Sequence, residues 1–134
     1  AAGAALQHDI SVPVAAMARF IEQESPRIEA DYPGTKTVAF GHLGDGNIHF
    51  HVKAPEGVDV TAWYASDGKA ITSHVYDRVR AYGGSLSAEH GIGQSKIDEF
   101  ARLAEPARLS ALRAIKSAFD PLGIMNPGKL VPLA

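Results

Sequence analysis

The spacing of apolar residues along the chain predicts alternating strands and helices. A short apolar run at residues 9–12 is typical of a strand. Positions with helical spacing follow it, and they are Val14, Met17, Phe20 or Ile21, Glu24 and Ile28. Ser11 and Pro13 stand where a helix cap and first turn are expected, and Pro26 is expected to end or kink this helix.

The same two patterns continue beyond the first helix. Residues 36–42 and 47–54 alternate as the two strands of a hairpin do. A second helix is predicted after them, closed by the Gly83-Gly84 pair. Its apolar stripe consists of Ile71, Val75, Val79 and Tyr82. Residues 86–89 are predicted as a fourth strand.

The order strand, helix, strand, strand, helix, strand is that of a ferredoxin-like unit. We therefore expect an α+β fold, with a ferredoxin-like antiparallel sheet that carries helices on one face. A C-terminal helical tail is predicted to follow, starting at Pro106 and ending at Asp120-Pro121. The apolar face of this tail consists of Leu109, Leu112, Ile115 and Phe119.

Composition narrows the class of protein. The 134 residues are 46% hydrophobic, which is enough for one core, and we expect a single domain over residues 1–134. The formal charge is −2 and the charged residues are scattered, so nothing predicts nucleic-acid binding. There are no cysteines, which excludes thiolate metal sites. No run of the sequence is apolar for long enough to predict a transmembrane segment, and we expect a cytoplasmic protein.

Candidate chemistry is concentrated in the hairpin, where His42 and His49 flank Asp45-Gly46. An Asp-Gly pair favours a two-residue type I′ turn, which would place His42 directly across from His49. Alternation adds Asn47 and His51 to the same face of the sheet. The opposite, apolar face would carry Ile48, Phe50 and Val52.

Histidines at a polar hairpin tip can simply form local hydrogen bonds. Three of them within ten residues, two on facing strands, instead favour a metal or substrate site. Glu89 is the best candidate for a third ligand, because it sits beside His90 at the end of a strand-like run, just before a Gly-x-Gly bend. Two histidines and a carboxylate would leave coordination positions open, as in a catalytic metal site. A plain ferredoxin-like topology argues against Glu89, since the fourth strand would end at the sheet edge opposite the hairpin tip.

Four ordered motifs resemble the C-terminal domain of FAD-linked oxidases, the FAD-dependent D-2-hydroxyacid dehydrogenase family. The family includes D-2-hydroxyglutarate dehydrogenase, D-lactate dehydrogenase and the flavin subunit of glycolate oxidase. The motifs cover nearly the whole chain and are His8-Asp9-Ile10-Ser11-Val12-Pro13, Gly41-His42-x-Gly44-Asp45-Gly46-Asn47-x-His49, Gly84-x-x-x-Ala88-Glu89-His90-Gly91-Ile92-Gly93 and Phe119-Asp120-Pro121-x-Gly123-Ile124-Met125-Asn126-Pro127-Gly128-Lys129.

The resemblance implies a divalent metal, most simply zinc, held by three ligands: His42, His49 and Glu89. It favours Glu89 by analogy, against the plain topology. His90 would be the acid/base residue, and it would take the substrate hydroxyl proton while the α-hydrogen leaves as hydride to FAD. The implied substrate is a small D-2-hydroxyacid of the 2-hydroxyglutarate, lactate or glycolate class, contacted by Asn47 and His51.

The tail motif suggests a role for two further residues. Asn126 and Lys129 would approach the flavin in the intact enzyme. A Pro-Gly turn that closes the chain explains the same residues equally well. Gly91 and Gly93 would either bring backbone close to substrate or cofactor, or make a bend into a helix near Lys96.

Two residues depart from the 2-hydroxyglutarate pattern of the family. His51 stands where that pattern has Asn, and Gln7 stands where it has Lys. Because the lost lysine removes a cation that would hold a distal carboxylate, the sequence leaves the choice of 2-hydroxyacid open.

The flavin domain of the family has no counterpart here, since no strand leads into a glycine-rich pyrophosphate loop. We expect this chain to be part of a larger enzyme, and alone to be inactive and without tightly bound FAD. Its expected partners are the 2-hydroxyacid and the missing flavin domain, and a homodimer is left open. The alternative is a free-standing metal-binding or metal-hydrolase module, with a self-contained pocket instead of an exposed docking face.

The remaining aromatic and histidine residues are assigned to structure. His8 lies beside a short predicted strand, and His74 lies on a helix that already has an apolar stripe. Trp63 and Tyr64 are expected to pack in the core or a loop. They are not expected to stack on nucleic-acid bases, because no basic patch accompanies them.

Overall fold

A computed structural model describes residues 3–131, in two compact units that divide between Glu89 and His90. The first unit contains the strands β1 (Ala5–Ser11), β2 (Lys36–His42) and β3 (Asn47–Lys53), with the helices α1 (Met17–Asp31), α2 (Val60–Ala65) and α3 (Asp67–Ala81). A short 3-10 turn at Val14–Ala16 precedes α1. The second unit contains α4 (Ile97–Leu103) and α5 (Pro106–Phe119).

The three strands form one antiparallel sheet in the order β1-β3-β2, so β3 is its central strand. The α+β class is therefore confirmed, and the hairpin strands agree with the sequence to within one residue. The predicted strand at residues 86–89 is wrong for the part of the chain described. Its segment forms no strand and joins β1 through an isolated antiparallel bridge between Ser11 and Ser85 and a backbone hydrogen bond from the Ala88 N–H to the Asp9 carbonyl at 3.3 Å.

Helices α1 and α3 cover one face of the sheet. Phe20 of α1 packs edge-on against Phe50 of β3, with ring centres 5.7 Å apart. Tyr76 of α3 packs against the buried ring of His8 in β1. The most deeply buried apolar side chains of this core are Ile10, Phe20, Ile28, Ile48, Phe50, Val52, Ile71, Val75 and Val79. These residues include Phe20 and Ile28 of the first predicted stripe and Ile71, Val75 and Val79 of the second, whereas Val14 of the first stripe is exposed.

The predicted start of α1 is wrong, and Pro26 does not end the helix. Ser11 belongs to β1, and the helical turn begins only after Pro13. Pro26 lies inside α1, although an internal proline costs about 3 kcal/mol. The helix continues past it because Ile28, on the far side, is buried against the sheet.

The second unit differs from its sequence prediction in packing. Pro106 opens α5 and Asp120 follows its end, as expected. No residue of α5 is buried, however, and the predicted apolar face is exposed at Ile115 and Phe119. Asp120 organises the next turn by accepting the backbone N–H groups of Ile124 and Met125 at 3.0 and 2.9 Å. No helix between residues 3 and 131 is long and apolar enough to cross a membrane.

A buried ion pair joins the two helices that cover the sheet. The Glu24 carboxylate on α1 is almost fully buried. Arg78 on α3 reaches it with two hydrogen bonds, from Nη2 to Oε1 at 2.9 Å and from Nε to Oε2 at 3.0 Å. This bidentate pairing with Glu24 raises the pKa of Arg78. The pair fixes how α1 and α3 lie together on the sheet.

Replacing Arg78 by Met should therefore destabilise the chain. The substitution keeps most of the side-chain volume but leaves the buried Glu24 to pair with the more exposed Arg27, at 3.2 Å. We expect a loss of about 2 kcal/mol in the free energy of unfolding, measured by urea denaturation. Lys69→Met, at an exposed site on α3, is the matched control and should change stability by less than about 0.5 kcal/mol. Equal effects of the two variants would contradict the assignment.

A second carboxylate predicts how stability depends on pH. Glu29 accepts hydrogen bonds from the backbone N–H and the hydroxyl of Thr37, at 2.8 and 2.9 Å. Together with nearby Lys36, these contacts lower the pKa of Glu29 from its ordinary value of 4.5. The stabilisation is thus complete above pH 4.5 and is lost as the pH falls through the lower, folded-state pKa.

Unfolding of wild type and Glu29→Gln, followed from pH 7 towards acid, checks this dependence. Wild type should be the more stable near neutral pH, and its advantage should shrink below the ordinary pKa of the carboxyl. A constant difference between the two stability curves at every pH would show that ionisation of Glu29 does not contribute.

Candidate functional site

The hairpin has a longer turn than its Asp-Gly pair predicts. His42 pairs with Asn47, and Phe40, not His42, lies opposite His49. Residues 43–46 form the turn, in which the Asp45 carboxylate accepts the Asn47 N–H at 3.1 Å. The predicted direct pairing of His42 with His49 is therefore wrong by two residues.

The turn is also tied to the end of β1, which explains its length. The Gly46 carbonyl accepts the Val12 N–H at 3.0 Å. Gly46 has a φ of +78°, and a Cβ atom there would lie 2.1 Å from the Val12 oxygen. Glycine is therefore needed both for the backbone conformation and for the close approach of the two segments.

The two-residue shift leaves every side chain on its predicted face, because side chains alternate with a period of two. His42 and His49 become diagonal neighbours, with ring centres 5.8 Å apart. Asn47 and His51 share their face, whereas Ile48, Phe50 and Val52 point into the core. The polar face thus forms as the sequence predicts.

Glu89 reaches this face from the segment that follows α3. Its carboxylate accepts a hydrogen bond from Asn47 Nδ2 at 2.7 Å and lies 3.6 Å from His42 Nε2. The topological objection fails because the segment does not form a regular fourth strand: its backbone bridges to β1 at Ser85 and donates from Ala88 to the Asp9 carbonyl at 3.3 Å. It then rises over the polar face, where the Glu89 N–H donates to the Asp9 side chain at 3.0 Å.

Close packing at Gly84 places this segment. A Cβ atom at Gly84 would lie 2.1 Å from the Ser11 oxygen and 2.9 Å from Val79 Cγ1. Any larger residue would push the chain away from β1 just before the Ser85 bridge. Glycine at position 84 therefore allows the segment that leads to Glu89 to lie close against β1.

One ligand atom from each of His42, His49 and Glu89 lies within 4.8 Å of the others. Ligands of a tetrahedral zinc ion are about 3.3 Å apart when the metal–ligand bonds are about 2.0 Å long. Small side-chain rotations would close that difference. His42 and Glu89 are free to make them, since their side chains are 60% and 50% exposed, whereas His49 is 20% exposed. Two imidazoles and one carboxylate are a donor set that zinc accepts, with coordination positions left for substrate.

The neighbouring residues differ in exposure. Asn47 is buried, and its Oδ1 has no hydrogen-bond partner among residues 3–131. The exposed Phe40 ring lies 5.1 Å from the rings of both His49 and His51. Partial burial, and then the charge of His49, lowers the pKa of His51. An imidazole with a lowered pKa is neutral at physiological pH.

The other predicted site residues belong to the second unit. His90 follows Glu89 directly and is exposed. Lys129 Nζ donates to Gln94 Oε1 at 2.5 Å, and the Leu130 N–H donates to the Gly93 carbonyl at 2.9 Å. The glycine bend and the tail are therefore paired with each other. Asn126 adopts a positive φ of 46°, as residues in tight turns do.

Sequence reasoning missed two residues of the polar face, Asp9 and Phe40. Asp9 is buried at 5% exposure and lies opposite His49 in the sheet. The signal for it was available, because extending β1 back to Ala5 places Asp9 on the histidine face by alternation. His8, assigned to structure, is buried on the other face and hydrogen-bonds the Phe50 carbonyl and the Thr72 hydroxyl.

Comparison with known proteins places the chain in a family. Residues 1–130 match the family described as FAD linked oxidases, C-terminal domain. The chain is 39% identical over 126 residues to a D-2-hydroxyglutarate dehydrogenase of Stutzerimonas stutzeri, covering 92% of this chain and 26% of that protein. It is 34% identical over 131 residues to the mitochondrial D-2-hydroxyglutarate dehydrogenase of Arabidopsis thaliana, covering 98% and 22%.

A relative with a different name matches as well. The D-lactate dehydrogenase of Archaeoglobus fulgidus is 37% identical over 123 residues, covering 92% of this chain and 26% of that protein. The chain thus spans about a quarter of the length of the curated relatives it matches. On the family match and these identities, the chain belongs to the FAD-linked oxidases and corresponds to their C-terminal domain.

Proposed function

We propose that this chain provides the substrate and metal site of a flavin-dependent enzyme that oxidises a D-2-hydroxyacid. The observation that carries the proposal is the convergence of His42, His49 and Glu89 on one sheet face. Membership of the FAD-linked oxidases supports FAD as the hydride acceptor, and relatives named for D-2-hydroxyglutarate and D-lactate support the substrate class.

A divalent metal, most simply zinc, is held in this proposal by His42, His49 and Glu89. When bound, it supplies Lewis acidity that lowers the pKa of the substrate hydroxyl. Asn47 keeps the Glu89 carboxylate in place through its 2.7 Å hydrogen bond. The ion on the polar face would then receive the carboxylate and hydroxyl oxygens of the substrate.

His90 is the proposed acid/base residue of the reaction. It takes the proton of the substrate hydroxyl, while the hydrogen on the same carbon leaves with its electron pair as hydride to FAD. The substrate thereby loses two electrons and two hydrogens and becomes a 2-oxoacid. The chain connects His90 to Glu89 by one peptide bond.

Asn47 and His51 are the proposed contacts to the rest of the substrate. His51 faces Gln7 across the sheet, and the Phe40 ring borders it on the other side. This part of the face carries a neutral amide and an imidazole whose pKa is lowered by burial. It is suited to hydrogen bonds with the distal end of a 2-hydroxyglutarate, lactate or glycolate type of substrate.

The flavin domain is the proposed partner of the tail, with Asn126 and Lys129 approaching the flavin. Large apolar side chains of this region are strongly exposed, and they are Phe119, Leu122, Ile124 and Met125. Apolar groups exposed in this number are typical of a docking face. They favour the flavin-dependent enzyme over a free-standing metal module, which would have no such surface.

Metal titration of the 134-residue chain, after removal of bound metal with a chelator, tests the site. Wild type should bind one Zn²⁺ or Co²⁺ ion. His42→Ala and Glu89→Gln should each weaken binding by more than about 100-fold, because each removes a direct ligand.

His74→Ala is the matched control for these variants. His74 lies on α3, beside the Tyr32 ring and Asp31, on the helix-covered side of the sheet. Its replacement should leave metal affinity unchanged. Equal metal affinity in wild type and His42→Ala would show that His42 is not a metal ligand.

A further inference from the structure

Asp9 is a buried carboxylate at the centre of the polar face. It lies in the middle of β1, opposite His49, and is 5% exposed. Its two oxygens face different parts of the site. Oδ1 is 3.7 Å from His49 Nδ1, and Oδ2 accepts the Glu89 N–H at 3.0 Å. The Ser87 hydroxyl also donates to Oδ2, at 3.4 Å.

Packing alone does not explain a carboxylate at this position. A buried ionised group is costly unless strong hydrogen-bond donors surround it. A serine or asparagine would satisfy the Glu89 backbone equally well, without a charge. A negative charge gains most from the imidazole of His49, which lies on the same face and becomes more polarised when its other nitrogen binds a cation.

We propose that Asp9 is the positioning residue of the metal site. In the zinc-bound state, a small rotation of the His49 ring would bring Nδ1–H from its 3.7 Å separation into hydrogen-bond distance of Asp9 Oδ1, which leaves Nε2 to bind the metal. Asp9 also fixes Glu89 by holding the backbone N–H of that residue. One carboxylate therefore sets the positions of two of the three ligands. This inference rests on the proposed function of His42, His49 and Glu89.

The two ligands that Asp9 contacts, His49 and Glu89, come from separate segments of the chain. His49 belongs to β3, and Glu89 follows the isolated Ser85 bridge. Asp9 on β1 contacts both of them, at 3.7 Å from His49 Nδ1 and 3.0 Å from the Glu89 backbone nitrogen. Without that carboxylate, the Ser87–Glu89 stretch would lose its side-chain attachment to β1 and keep the hydrogen bond from Asn47 of β3.

Metal affinity of Asp9→Asn and Asp9→Ala, measured by Zn²⁺ titration of the chelator-treated chain, tests the proposal. Asn keeps an acceptor for the Glu89 N–H but loses the charge that faces His49, and Ala loses both. We expect binding to be about 10- to 100-fold weaker in Asp9→Asn and weaker still in Asp9→Ala. His74→Ala, on the helix-covered side of the sheet, is the control and should bind as wild type does.

Co²⁺ absorption separates a positioning residue from a ligand. At saturating Co²⁺, Asp9→Asn should show the visible bands of wild type, because all three ligands remain. A changed band pattern would show that Asp9 itself binds the metal and would overturn the proposal.

Nitrogen NMR of His49 in the zinc-loaded wild type does not depend on whether a variant folds. We expect a protonated Nδ1 and a metal-bound Nε2. Zinc on Nδ1 would overturn the proposal.

Failure of the inference and failure of the proposed function give different results. Wild type that binds zinc, with Asp9→Asn binding equally tightly, would overturn only the role of Asp9. Wild type that binds no zinc would overturn the proposed metal site, and the positioning role together with it.

Discussion

The alternation of side chains along β3 is the constraint on which the rest of the first unit depends. β3 is the central strand and is hydrogen-bonded to a neighbouring strand on each side, so it cannot rotate about its axis to exchange its two faces. Ile48, Phe50 and Val52 fill the core beneath α1 and α3. The intervening residues, among them Asn47 and His49, must then point to the opposite face. The same backbone that builds the core thereby presents the polar site.

The site therefore tolerates a register shift of two residues, which keeps each side chain on its face. It does not tolerate a shift of one residue, which moves each side chain to the opposite face. The hairpin is paired two residues away from the register that its Asp-Gly sequence favours, yet His42 and His49 remain on one face. A one-residue shift would have placed the histidines in the core and Phe50 in solvent. Burial of the three apolar side chains of β3 stabilises the registers that keep them in the core far more strongly than any turn preference does.

The segment after α3 completes the site through contacts that no strand pattern describes. Ser85 bridges to β1, and Gly84 lets the segment approach the end of that strand closely. Glu89 is held by hydrogen bonds to Asn47 and Asp9. Because these bonds use side chains instead of a regular ladder, the segment can leave the sheet early. A full fourth strand would have carried Glu89 away from the hairpin.

The sequence by itself determined the α+β class, the hairpin strands, most of the two buried helix stripes and the face that carries Asn47, His49 and His51. All of these follow from local periodicity, which is a property of neighbouring residues. Only the tertiary structure decided the hairpin register, the passage of α1 through Pro26, the exposure of α5 and the meeting of Glu89 with His42. Each of these depends on contacts between residues far apart in the chain, whose energies outweigh local preference and leave no periodic trace in the sequence.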